Sequence, residues 1–240
     1  MLDVHPPPPA AHGWRTFFAH LATIVIGLLI ALGLEQTAEG IHHRAQVREA
    51  REAIAQERAA NQHEFATSTE FFRRETKRFQ TNLAVLQFLQ QYPGAKPDSW
   101  PGTINWHTYI TSFSSAAWET AQHTGVTARM SPGELRQLEQ LYHQLGVVQA
   151  SSADRLRAIS AARRYTASDA DPSRLTGTQL ANEIDLAEAV LIAHYRFGGD
   201  MRNLHSRYPD FAPAPETDEL GAIVHEPLIT EEERRERERR

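Results

Sequence analysis

Residues 17–34 read FFAHLATIVIGLLIALGL, and no Asp, Glu, Lys or Arg interrupts them. At a rise of 1.5 Å per residue, a helix over this stretch extends roughly 27 Å, close to the hydrocarbon thickness of a bilayer. Trp14 and Arg15 sit at one edge, where an aromatic ring and a snorkelling cation favour headgroups. Glu35 and Gln36 close the other edge. A cleaved leader would need an A-x-A-like site after the apolar run, and LGLEQTAEG matches that poorly. The sequence therefore predicts an uncleaved transmembrane helix, with the lipid bilayer as its partner. His20, near the end of the span, is expected to reach the interface rather than to act inside the membrane.

Ala19, Thr23, Gly27 and Ala31 recur every four residues within the span and fall on one helix face. Lipid supplies no hydrophobic drive for helix association, so close approach through small residues is what joins membrane helices. These four are the candidate pairing face, for a homo-oligomer or another membrane protein; the plain alternative is that Ala and Gly are common in such spans. Orientation is set by few charges. Arg44, Arg48 and Arg51 follow the span, which by the positive-inside rule favours a cytoplasmic domain. They are interleaved with Glu35, Glu39, Glu49 and Glu52, and single-span proteins with short N-tails keep the tail inside, so the expectation is a periplasmic domain behind an inner-membrane anchor.

Past the span, residues 35–92 carry no proline before Pro93 and one glycine, Gly40, which predicts a long helix continuing from the membrane. Phe65, Phe72, Phe79 and Leu86 stand at strict seven-residue spacing and form its apolar seam. Val47, Ile54 and Leu89 fit the companion position, but Asn61, Ser68, Glu75 and Asn82 interrupt that row. An uninterrupted dimeric coiled coil is thus disfavoured, and packing on helices of the same chain is expected, with self-pairing near the membrane left open.

Residues 92–103 (YPGAKPDSWPGT) read as a loop. Trp106, Ile110, Phe113, Ala117, Ala121 and Thr124 then recur with a helical period, predicting a second helix closed by Gly125. Ser131, Pro132 and Glu134 form a helix start with a capping serine, and the third helix is expected to last to about Tyr165. After a break at 167–177, a last helix carries Leu180, Ile184, Ala187, Leu191, His194, Gly198 and Met201 on one face and fades near Tyr208. Gly198-Gly199 reads as a kink or termination. No alternating strand pattern of useful length occurs. The predicted fold is all-α: a tail (1–16) stiffened by Pro6 to Pro9, a transmembrane helix (17–34), a long helix (35–92), the remainder of a bundle of about four helices (93–208), and a charged tail (209–240) ending in TEEERRERERR.

The 240 residues carry a net charge of −5 with no basic stripe, which points away from nucleic acid. Zero cysteines exclude disulfides, iron–sulfur clusters, thiolate zinc and cysteine nucleophiles. Twelve histidines prompt a search for metal sites. The Glu119/His123 and Glu139/His143 pairs stand four apart, whereas di-iron bundles use Glu-x-x-His, so ordinary surface pairing explains them better. His194 reads as a hydrogen-bonded core histidine, and His42-His43 as headgroup neighbours. Neither a P-loop nor G-x-S-x-G is present. Trp100, in the loop, is the candidate for partner contact. Catalytic, cofactor and metal sites are therefore expected to be absent.

The stretch FFAHLATIVIGLLIALGLEQTAEGIHHRAQVREAREAIAQERAAN, and later SAAWETAQHTGVTARMSPGELRQLEQLYHQ, resemble an uncharacterised group of bacterial single-span membrane proteins. Its members join an apolar span ending in a Leu-Glu or Leu-Asn step to a charged helix. The resemblance covers about residues 15–150 and implies a membrane location and a helical fold; it carries no activity to any residue. The function expected is a non-enzymatic membrane-anchored interaction or scaffold protein, such as a subunit of an envelope complex. The alternatives are a ligand-sensing bundle acting through a partner and, remotely, a metal-binding bundle enzyme.

Overall fold

A computed structural model describes residues 13–164, 166 and 171–212; the expected N-tail up to residue 12 and the charged C-tail beyond residue 212 lie outside them. The described residues form four α-helices and no strand: α1 (Trp14–Gln91), α2 (Ala116–His123), α3 (Pro132–Ala162) and α4 (Gly177–Arg207). The all-α reading holds, with three long helices and one short. By contact the chain divides into two units, Met1–Arg51 and Glu52–Arg240.

In the first unit α1 is long and apolar enough to cross a membrane, and none of its apolar window is buried. Phe17, Ile24, Leu28, Leu29 and Leu34 are all more than half exposed. Gly40 does not interrupt the helix.

The second unit is a bundle. Ser131 accepts the Glu134 backbone N–H at the start of α3, as its position before Pro132 predicts. Thr176 and Gln179 form a reciprocal capping box at the start of α4. Contacts fix the directions. Glu57 meets Tyr142 and Glu75 meets Arg155, so α3 runs parallel to α1. Gln62 donates to the Asp210 carbonyl and Gln80 to the Tyr195 hydroxyl, so α4 runs antiparallel to α1. Parallel neighbours require a chain that returns the full length of the bundle between them, and residues 103–115 make that return.

Here the structure corrects the sequence reading. The second helix does not begin near Trp106: residues 103–115 have no regular secondary structure, and α2 spans only eight residues. Ile110, assigned above to an apolar helix face, is 62% exposed. Thr103, Ile104, Thr108, Ile110 and Thr111 are β-branched and stiff at χ1, which disfavours helix and suits extended chain. Burial instead alternates residue by residue from Thr111 to Ala117, the period of an extended strand.

A second correction concerns Gly198. The α4 helix continues through Gly198-Gly199 to Arg207 and does not stop there. A Cβ on Gly198 would lie 2.3 Å from the Phe72 ring, so the glycine is there to let α1 and α4 approach closely.

Candidate functional site

The row of polar residues that breaks the α1 seam is a receptor for the returning strap. Asn82 accepts the Asn105 N–H and donates to the Asn105 carbonyl, at 2.8 and 2.9 Å. Glu75 accepts the Tyr109 N–H. Ser68 Oγ meets Thr111 Oγ1 at 2.9 Å. Asn61 accepts the Ser114 N–H and donates to its carbonyl, both at 2.8 Å. Glu64 adds the Ser112 N–H, and Gln149 of α3 takes that of Phe113. The match is geometric. Seven helical residues rise about 10.5 Å, which three extended residues also cover at roughly 3.3 Å each. Strap partners 105, 109, 111 and 114 accordingly pair with helix positions 82, 75, 68 and 61, running in the opposite direction. Every one of those four helix side chains is buried, and the strap gives them the partners that burial demands.

Three ionisable centres pin this strap. In the middle, Arg155 and Glu75 pair at 2.9 Å, each 1% exposed. Arg155 also donates to the Tyr109 carbonyl at 2.8 Å and lies 4.2 Å over the Phe197 ring. Burial lowers the guanidinium pKa while Glu75 opposes that shift, and an arginine stays charged regardless. His194 faces the same cation with Nδ1, 3.5 Å from an Arg155 nitrogen. Its Nε2 faces Thr76 Oγ1 at 2.8 Å and the Phe72 carbonyl at 3.2 Å, so these partners assign the proton to Nε2. Burial first, and Arg155 second, hold His194 down to about 3; it is a neutral core histidine stacked on Phe72.

At the strap's start, the Trp106 indole N–H donates to Thr166 Oγ1, which meets Glu183 Oε1 at 2.8 Å. Burial pushes the Glu183 carboxyl up despite that bond. At its end, Glu57 accepts from Tyr142 (2.6 Å), Ser114 Oγ (2.7 Å), Ala117 N–H (2.8 Å) and Trp118 N–H (3.3 Å). The α2 N-cap residue, Ser115, makes no side-chain cap bond, so Glu57 caps α2 from a different helix.

Phe65, Phe72, Phe79 and Leu86 are at most 1% exposed. Phe72 meets His194 and Phe197 of α4, and Phe79 meets Trp106. The seam is thus occupied within the bundle. Ala19, Thr23, Gly27 and Ala31 are exposed, and nothing lies within 4 Å of where a Gly27 Cβ would stand. His20 Nδ1 is 2.9 Å from the Thr16 carbonyl. Trp100 is half-buried against the core and donates to the Ala95 carbonyl. His43 meets Glu39 at 3.1 Å, and Gln46 joins His42. Among the described residues no three His, Asp or Glu side chains converge as a metal site would require.

Sequence reading missed Glu57 and Arg155 outright. Asn61, Ser68, Glu75 and Asn82 it saw only as interruptions, although their seven-residue spacing, matching the Phe row, was the sign that they serve one continuous partner. The chain matches no protein-family model, no curated protein and no solved structure in comparison.

Proposed function

We propose that this chain is a non-enzymatic, membrane-anchored interaction or scaffold protein of a bacterial inner membrane. It is held by the single span 17–34, with the bundle in the periplasm, as a homo-oligomer or a subunit of an envelope complex. The observation that carries the reading is the exposure of every residue from Phe17 to Leu34, whereas the seam at Phe65, Phe72, Phe79 and Leu86 is buried. Exposed apolar surface of that extent needs lipid or protein around it. Buried polar groups in the bundle support the non-catalytic part: Glu75, Arg155, His194 and Glu57 are engaged with the strap and with one another, which is structural work.

Fractionation tests the anchor. The intact polypeptide is expected in the membrane pellet, resistant to carbonate and released by detergent; recovery in the supernatant would overturn the reading. Crosslinking in membranes tests the pairing face, where Gly27→Leu is expected to cut oligomer yield several-fold. An unchanged yield removes Ala19, Thr23, Gly27 and Ala31 from the proposal.

A further inference from the structure

We propose that Glu57 is an acid-operated latch: ionised, it ties α2 to α1 and α3, and protonated, it lets α2 detach while the rest of the bundle stays folded. All four of its partners are neutral donors, two hydroxyls and two backbone amides. The hydroxyls of Ser114 and Tyr142 can turn to accept a proton, but the amides of Ala117 and Trp118 cannot. Protonation removes the charge that strengthens those amide bonds about twofold and takes the anion from a helix N-terminus. Tyr142 approaches from α3, Arg58 lies beside it on α1, and on α2 the Glu119 carboxylate accepts from Ser115 Oγ at 2.5 Å.

Release should stop at a defined point. Ser114 is held by the Asn61 amide and Asn105 by the Asn82 amide, and neither side chain titrates. Among the described residues, the hydrogen bond that Glu57 accepts from α3 is that of Tyr142. What comes free is α2, baring the Trp118 indole and the Tyr142 ring on which it stacks 5.4 Å away. Burial raises the Glu57 carboxyl, but its four donors together outweigh that and hold it below the ordinary 4.5. A depressed folded pKa means the tie is complete above 4.5 and is lost as pH falls through the lower folded value.

Hydrogen exchange of the full chain in detergent micelles, expressed as protection factors, reads this directly. Between pH 5.5 and 3.5, amides of 117–123 are expected to lose several-fold protection, up to about tenfold, while those of Ser114, Val148 and Val190 keep theirs. Glu57→Gln should show the same loss already at pH 7, with no further change on acidification. Tyr142→Phe, which removes one donor without removing the carboxylate, should move the opening to higher pH. The proposal is overturned if 117–123 open only together with α3 and α4, or if Glu57→Gln keeps the acid step.

Discussion

Two stretches of α1 carry apolar residues in abundance and treat them oppositely. From 17 to 34 they surround the helix, and all are exposed. From 54 to 89 the most buried of them gather towards one side, and Ile54, Phe65, Phe72, Phe79, Val85, Leu86 and Leu89 are buried. A helix apolar on every side cannot be satisfied by one flanking bundle, whereas a stripe can. Beside the second stripe runs the polar row at 61, 68, 75 and 82, which the span lacks altogether. Hydrophobic content is similar in kind; its angular distribution decides whether the chain itself or its surroundings must supply the partner.

Breaking the central ion pair should expose this contrast most strongly. Glu75→Gln leaves the Arg155 cation buried without its counter-charge and is expected to cost the bundle about 3–5 kcal/mol in urea unfolding. The double variant Glu75→Leu/Arg155→Met should lose less than the two single changes added together; strict additivity would show that the pair does not act as a unit. Gly198→Ala comes next, since its methyl must displace the Phe72 ring, at a cost of about 1–3 kcal/mol. Gly27→Leu, a larger change in the span, should leave bundle unfolding unaltered. A shared drop in stability would erase the distinction between the two stretches.

A separate effect is a change of slope with pH. The unfolded chain binds a proton at His194 near 6.5, and the folded chain only near 3. The stability this depressed value represents is therefore present above 6.5 and is lost as pH falls towards 3. His194→Gln, which can still accept from Arg155 and donate to Phe72, should flatten that part of the stability–pH curve. A curve as steep as the parent's would assign the acid sensitivity to other groups.

Much of the architecture could be read locally. The apolar run, the Phe row, the capping residue Ser131, and the proline–glycine loop at 92–103 each announce themselves within a few residues, because helix starts, stops and faces are set by neighbours in sequence. The strap did not. Trp106, Ile110, Phe113 and Ala117 repeat at a helical period by coincidence, and what straightens the chain there is a set of acceptors and donors 23 to 60 residues away in sequence. The same distance hid the roles of Glu57 and Arg155, which acquire partners only when α1, α3 and the strap meet. Sequence alone thus determined that this chain is helical and which face of each long helix is apolar. Tertiary structure alone decided where the polar row of α1 finds its hydrogen bonds, because a buried amide or carboxylate is satisfied by whatever backbone the fold brings to it.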